Sequence, residues 1–227
     1  MPGTSLLASA QDRVIPVVGA LQPLLAEGGF TRGHTVGCQG GASLSLALAA
    51  VAHASAGGAW VAAAGLPDLG AQAAKEAGLA LERLVVVTSP HEILESAWAN
   101  VVSALIDGFD LVLLRQSSRC RLRSGTTRRL QARLQARGAV MIIVGDPGDF
   151  SVDVTLSSDV GEWEGIGQGF GRLSRRRLTV AAGGRRLPRV RYADLWLPHD
   201  GGAIQAVCAS ASTSASETVV VPLRRTG

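Results

Sequence analysis

The chain has 227 residues, of which 47% are hydrophobic and only 4% are aromatic. This length suits one domain, and the apolar content excludes global disorder and predicts a core of alanine, leucine and valine. The net charge of +4 is uneven, because residues 1–110 carry four basic and nine acidic groups, whereas residues 111–227 carry eighteen and nine. The basic second half indicates contact with nucleic acid or with an acidic protein, or a solvated arginine surface.

Apolar segments with strand character alternate with helical segments over the first two thirds of the chain. Such near-continuous apolar strands, separated by helices, predict an α/β fold with a mainly parallel central sheet flanked by helices. The predicted strands are 35–38, 59–64, 84–88, 110–114 and 139–144, and the predicted helices are 42–55, 68–78, 90–107 and 126–138.

The pattern changes after residue 146 to alternating apolar and polar residues, which predicts C-terminal antiparallel strands that extend the sheet. These strands are 152–156, 172–181, 189–197 and 203–209, with a glycine-rich loop predicted at 165–171. We therefore divide the chain into an N-terminal arm over 1–13, a domain over 14–209 and a flexible tail over 210–227. The tail ends in an apolar-basic segment that is either loose or a partner-binding peptide, formed by Val219, Val220, Val221, Leu223, Arg224 and Arg225.

The three cysteines are widely separated and form no C-x-x-C pair, so they predict no zinc site and indicate a reducing compartment. No signal-peptide pattern begins the chain, and we expect a cytoplasmic protein. The run over 40–66 lacks charges and is long enough to suggest a membrane span. Polar residues and glycines interrupt it, which favours a helix, a turn and a buried strand without membrane contact.

The turn after the first core strand is the place where a phosphate-binding loop, G-x-x-x-x-G-K-[ST], would lie. In such a loop backbone N–H groups cradle the phosphates, the lysine reaches them and the hydroxyl holds Mg²⁺. The sequence GCQGGASL at 37–44 has alanine for the last glycine, serine for the lysine and leucine for the hydroxyl residue. Either a plain strand-to-helix turn or residual binding of a nucleotide or anion fits this sequence. The vestigial phosphate loop comprises Gly37, Gly40, Gly41, Ala42 and Ser43.

The acidic residues that nucleotide hydrolysis requires are also missing. Such hydrolysis needs carboxylates that hold Mg²⁺ and orient water. Arg115 follows the apolar strand at 111–114, where the metal-binding aspartate is expected, and no carboxylate follows the strand at 59–64 before Asp68. Losing transition-state charge stabilisation typically costs orders of magnitude in rate. The sequence therefore predicts a protein that is not an enzyme, with no catalytic residue, metal or cofactor.

Arginines cluster in two regions of the second half. Three recur at i, i+4 and i+8 on one helical face, three precede that helix on a predicted loop, and two lie in a later cluster. They suit DNA phosphates or the carboxylates of an acidic partner, although no aromatic residue near the first six favours single-stranded DNA. The later cluster also fits a strand whose outward arginines blunt an exposed sheet edge. These candidate contacts are Arg129, Arg133 and Arg137, then Arg119, Arg121 and Arg123, then Arg175 and Arg176.

Five sequence runs, taken in order, carry a family resemblance. The run GGFTRGHTVG at 28–37 resembles the entry to the RecA core, which leads into its first strand and phosphate loop. The other runs are AWVA at 59–62, GLALERL at 78–84, GRLSRRRLTV at 171–180 and ADLWLP at 193–198. Over about residues 14–205 the chain resembles RecA-like cores and, among them, the ImuA family of the actinobacterial ImuA-prime type.

This resemblance implies a RecA-like accessory factor encoded beside ImuB, a catalytically defective Y-family polymerase homologue, and an error-prone C-family polymerase. It implies a non-catalytic adaptor in SOS-induced error-prone translesion synthesis that bridges the ImuB-like protein and other components. Residues 1–16 are too short for RecA's polymerisation element, and 144–150 are too short and acidic for its DNA-binding loop, so we expect a monomer or small complex. The alternatives are a nucleotide-dependent ATPase and a DNA-binding module.

Overall fold

The computed structural model describes residues 13–88, 93–116, 121–167, 170–199 and 204–207. Three predictions therefore concern residues that lie outside the described part of the chain. These are the arm before Arg13, the contact by Arg119, and the tail over 210–227 with its apolar-basic end.

The described residues contain four α-helices and twelve strands, besides two short 3-10 helices at Gln22–Leu24 and Leu81–Arg83. The helices are α1 (Ser43–Ala56), α2 (Ala71–Glu76), α3 (Glu95–Gly108) and α4 (Ser124–Arg137). The first seven strands are β1 (Val14–Pro16), β2 (Gly29–Thr31), β3 (Thr35–Gly40), β4 (Val61–Ala64), β5 (Leu84–Val87), β6 (Leu111–Leu114) and β7 (Val140–Val144). The remaining strands are β8 (Val154–Ser158), β9 (Glu162–Gly167), β10 (Phe170–Gly183), β11 (Arg191–Trp196) and β12 (Gln205–Ala206).

Ten of these strands form one mixed sheet in the order β12-β11-β10-β8-β3-β7-β6-β4-β5, with β9 paired to β10. The strands from β8 to β5 in this order run parallel, whereas β9, β10, β11 and β12 pair antiparallel with their neighbours. Strands β1 and β2 form a separate antiparallel pair. The prediction of an α/β fold with a mainly parallel core and C-terminal antiparallel strands is confirmed at this level.

Strand β8 corrects one detail of the prediction. The alternation over 152–156 predicts an antiparallel strand, and β8 does pair antiparallel with β10. On its other side, however, β8 lies parallel to β3, with Val36 opposite Val154 and Gly40 opposite Ser158. The segment between β7 and β8 runs back to the start of β3, where Asp153 accepts the Thr35 N–H at 3.0 Å. Alternation reports that one face of a strand is covered and the other open, and it carries no information about strand direction.

A β-hairpin replaces part of the loop that the sequence predicts at 165–171. Strand β9 pairs antiparallel with the first half of β10, so that Trp163 lies opposite Arg176 and Glu164 opposite Arg175. The register shifts between residues 171 and 175, which marks a bulge in this hairpin. Glycine weakens a strand and often marks a bulge, so a glycine-rich strand resembles a loop in sequence.

Helices cover both faces of the parallel strands. Helix α1, with nine buried residues, packs with the small helix α2 on one face, in a core that also includes Leu156, Val180 and Leu195 of β8, β10 and β11. Helices α3 and α4 pack on the other face, where Trp98 and Leu134 contact the core side chains of β4, β6 and β7. Two-sided burial explains why β4, β6 and β7 read as continuous apolar runs.

Candidate functional site

The turn between β3 and α1 is much shorter than a phosphate-wrapping loop. Gly37 lies inside β3, opposite Ile143 of β7 and Thr155 of β8, and the strand continues to Gly40. Only Gly41 and Ala42 then separate β3 from α1. A phosphate cradle needs several successive N–H groups that turn inwards to one concavity. Here Gly37 and Gly40 lie in β3 and Ser43 lies in α1, so only Gly41 and Ala42 form the turn.

Strand β8 fills the space beside this turn. The Ser158 hydroxyl accepts the Ala42 N–H at 3.1 Å and donates to the Gln39 carbonyl at 3.2 Å. Gly40 has a φ of +91°, and a Cβ at this position would lie 1.9 Å from the Ser158 carbonyl oxygen. Ala42 itself is buried. The turn is therefore held closed against β8, which fits the plain strand-to-helix turn better than a phosphate cradle.

Arg115 and Asp68 form an ion pair near the carboxyl ends of β6 and β4, where the sequence lacks the two acids that nucleotide chemistry needs. Arg115 follows β6 directly, and its N–H donates to the Ala64 carbonyl at 3.1 Å at the end of β4. Its guanidinium pairs with Asp68, in the segment after β4. The first carboxylate after β4, that of Asp68, is thus neutralised by Arg115, which stands where the metal-binding acid is expected. Among the described residues, no group of three or more His, Cys, Asp or Glu side chains is placed to hold a metal ion.

The Cys38 thiol lies in β3, next to Gly37, and is fully buried. Burial disfavours the thiolate and raises the pKa of Cys38 to about 12. Since the thiolate is the nucleophile and metal ligand, Cys38 acts as a small apolar core residue.

The arginine face of α4 is partly neutralised by α3. Asp107 accepts Arg133 Nε at 2.7 Å and Arg137 Nε at 3.0 Å. The hydrogen bonds from Arg133 have the largest effect and, with a lesser contribution from Arg137, lower the pKa of Asp107 from 3.8 to about 2, although desolvation opposes the shift. Arg129 donates its Nε to the Gly125 carbonyl of its own helix. One carboxylate thus serves two arginines, and the face keeps a positive charge.

Replacing Asp107 with asparagine should lower the urea midpoint of unfolding at pH 6. Because the folded pKa lies below the ordinary value of 3.8, the stabilisation is complete well above pH 4 and is lost as the pH falls towards 2. The gap in urea midpoint between wild type and D107N should therefore narrow steadily from pH 5 to pH 3. A gap that stays constant over this range would mean that the Arg133 and Arg137 contacts do not depend on the charge of Asp107.

The arginines that precede α4 also have carboxylate partners. Arg121 lies 3.6 Å from Asp146, and Arg123 lies 3.5 Å from Glu95 at the start of α3. Hydrogen bonds from the Arg123 backbone and the Thr126 hydroxyl lower the pKa of Glu95. These partners were missed from the sequence, because nothing in it places Glu95 or Asp107 beside arginines about 26 to 28 residues further on.

Helices α3 and α4 enclose a groove of about 650 Å³, which we call the α3–α4 groove. Its wall on α4 contains Arg129 and Arg133, and α3 contributes Ala99 and Ser103 to its lining. Leu94, immediately before α3, lies at the groove with 77% of its surface exposed. The sequence predicts the arginines of this groove but not its apolar residues.

The second arginine cluster is used within the protein. Arg176 is buried, stacks over the Trp163 ring at 4.9 Å and donates its Nε to the Leu197 carbonyl. Desolvation lowers the pKa of Arg176. Arg175 pairs with Glu164 at 2.7 Å and stacks over Trp196 at 4.4 Å. The predicted DNA or partner contacts at these two residues therefore compete with existing contacts, and burial leaves the Arg176 guanidinium little access to a ligand.

None of the helices in the described ranges has the length and apolar composition needed to cross a membrane.

The MT3502 N-terminal domain family matches residues 23–148, which include the β3–α1 turn, the Arg115–Asp68 pair and the α3–α4 groove. A similar protein is the "Uncharacterized protein Rv3395c" of Mycobacterium tuberculosis (strain ATCC 25618 / H37Rv). It is 35% identical over 159 residues, which cover 66% of this chain and 74% of that protein. The chain belongs to the MT3502 N-terminal domain family.

Proposed function

We propose that this protein is a non-catalytic, RecA-like adaptor in SOS-induced error-prone translesion DNA synthesis. It acts in the cytoplasm as a monomer or small complex and joins an ImuB-like homologue of Y-family polymerases to other components, among them an error-prone C-family polymerase. The proposal starts from the ordered motifs that resemble ImuA-prime proteins. The observation that carries its non-catalytic part is the β3–α1 turn, which is closed against Ser158 and lacks the phosphate-binding lysine.

The sheet supports the RecA-like part of the proposal. Strand β3, which leads into the turn, lies in the middle of the parallel strands, between β7 and β8. In open α/β sheets, ligands bind outside the carboxyl ends of the strands, where the strand order reverses direction. The chain crosses from β3 to β4 on one side and from β7 to β8 on the other, so β3 occupies that reversal point. The altered residues therefore lie where a nucleotide site of this architecture is expected.

The residues that follow the carboxyl ends of β3, β4 and β6 argue against an ATPase. Phosphoryl transfer depends on positioning and on cations that stabilise the transferring phosphoryl group. Ser43 replaces the lysine, Leu44 replaces the Mg²⁺-binding hydroxyl, and Arg115, paired with Asp68, replaces the metal-binding acid. Each loss removes a separate requirement, and no described side chain nearby substitutes for all three.

Protein contact is better supported than DNA contact as the main use of the arginines. Arg121, Arg123 and Arg133 already pair with carboxylates, and Arg137 shares Asp107 with Arg133. Each such carboxylate repels phosphate and weakens a DNA footprint. An adaptor can use the same mixed surface for charge-matched protein contacts.

Co-expression with an ImuB-like protein tests the proposal. The two proteins should elute together in size-exclusion chromatography as a stable complex, and the purified protein should not hydrolyse MgATP above a Ser43→Trp control. An unrelated RecA-like protein, co-expressed in the same way, should elute separately from the ImuB-like partner. Separate elution of this protein from every component of the polymerase assembly would contradict the adaptor role.

A further inference from the structure

The α3–α4 groove has the form of a helix-binding site. It lies along two helices of 14 residues each, and the small side chains of Ala99 and Ser103 are among the α3 residues that line it. Leu94 offers a large apolar side chain that is 77% exposed at one end. An amphipathic helix that lies in a groove buries apolar residues spaced at i, i+3 or i+4 and i+7, and this trough matches such a partner.

The charge of the groove selects the chemistry of the partner. Arg133 and Arg137 share the single carboxylate of Asp107, and Glu95 pairs with Arg123. Arg129, on the wall of the groove, donates to a backbone carbonyl of its own helix and shares the charge of Glu95 with Arg123. The wall therefore keeps excess positive charge beside the apolar side chains of Leu94 and Ala99. A partner helix with carboxylates on its polar side complements both features.

Other occupants fit the groove less well. Single-stranded nucleic acid would find no aromatic residue lining the groove for base stacking. The apolar-basic end of this chain carries Arg224 and Arg225, which the arginine wall would repel. A second copy would bring the same basic end. Charge thus favours an acidic helix of another protein.

We propose that the α3–α4 groove docks an acidic amphipathic helix of a partner protein, with the apolar side of that helix on Leu94 and Ala99 and its carboxylates against Arg129 and Arg133. This inference deepens the proposed adaptor function and rests on it for the partner's origin. The groove gives the adaptor a recognition surface separate from the altered β3–α1 turn.

The test uses the full chain and a fluorescein-labelled designed peptide of about 16 residues, with leucines at helical spacing and glutamates elsewhere. A scrambled peptide of the same composition and a labelled single-stranded oligothymidine serve as comparisons. Fluorescence anisotropy should show that the amphipathic peptide binds more tightly than either comparison. The proposal is overturned if the amphipathic peptide does not bind, if the scrambled peptide binds equally well, or if oligothymidine displaces the peptide.

Three charge variants locate the binding surface. Arg129→Glu and Leu94→Glu should each weaken peptide binding by at least about tenfold, because one reverses the wall charge and the other places a charge against the apolar side of the helix. Arg189→Glu, an exposed control on the loop between β10 and β11, should change binding by less than about twofold. Thermal unfolding of each variant checks that it remains folded. Equal losses in all three variants would overturn the groove as the site.

This assay contains no polymerase component, so its result is distinguishable from that of the adaptor test. A peptide that fails to bind would reject the acidic-helix inference and leave co-elution with the ImuB-like protein as an independent result. Failed co-elution, conversely, would reject the adaptor role while peptide binding remained a property of the groove.

Discussion

Replacing Gly40 with alanine is expected to destabilise the protein by at least about 4 kcal/mol. Two causes add at this position. The φ of +91° is a conformation that residues with a Cβ rarely adopt, and the new Cβ would lie 1.9 Å from the Ser158 carbonyl oxygen. The obstructing atom is backbone in the adjacent strand, so relief requires β3 and β8 to separate. Urea unfolding followed by circular dichroism measures the loss.

Gly145→Ala is the matched control for this prediction. Gly145 follows β7, has a φ of +88°, and has no atom within 4 Å of its Cβ position. Alanine there meets only the conformational cost of about 1–2 kcal/mol. The difference between the two variants isolates the contact with β8. Equal destabilisation by G40A and G145A would mean that β8 does not close the β3–α1 turn.

Replacing Trp98 with alanine is expected to cost about 3–5 kcal/mol, the range typical of large aromatic residues in cores. Trp98 lies on α3 with none of its surface exposed, in the core that joins α3 and α4 to β4, β6 and β7. Its ring also lies 3.6 Å from the Cβ position of Gly65, at the end of β4. Removal of the ring leaves a cavity between α3 and the sheet. Chemical unfolding monitored by circular dichroism is the measurement.

Replacing Trp98 with phenylalanine separates the effect of ring volume on stability from the effect of the indole N–H. The Trp98 Nε1 atom is buried without a hydrogen-bond partner among the described residues. A buried donor without a partner is costly, so its removal offsets part of the packing lost with the smaller ring. We therefore expect Trp98→Phe to cost less than about 1.5 kcal/mol. A loss as large as that of Trp98→Ala would indicate that Nε1 donates an important hydrogen bond.

The parallel half of the fold was predictable, because buried strands and helices leave strong periodic signals in sequence. Strands β3, β4, β5, β6 and β7 and helices α1 and α4 lie within about two residues of the predicted ranges. Helix α3 begins at Glu95, later than predicted, and α2 is shorter. The direction of β8 and the β9–β10 hairpin were not predictable, because alternation does not encode strand direction and glycine masks a strand.

The candidate site was predictable only where it depends on residue type. Ser43 and Arg115 stand at positions where the chemistry demands a lysine and an acid, so their significance is visible in sequence. The contact that closes the turn is not visible in sequence, because Ser158 lies 116 residues beyond Ala42 and meets it only through the β3–β8 pairing. Likewise, the partners of the arginines depend on how α3 and α4 pack. The groove between these helices therefore appears only in three dimensions.

Titration calorimetry with and without MgATP measures the dissociation constant of the complex with an ImuB-like partner and so tests whether this protein is an adaptor that has lost its nucleotide site. We expect the complex to form without nucleotide and MgATP to change its dissociation constant by less than about twofold, since a ligand that does not bind shifts no equilibrium. Complex formation only in the presence of MgATP would contradict the claim that the nucleotide site is lost. No complex under either condition would contradict the adaptor role.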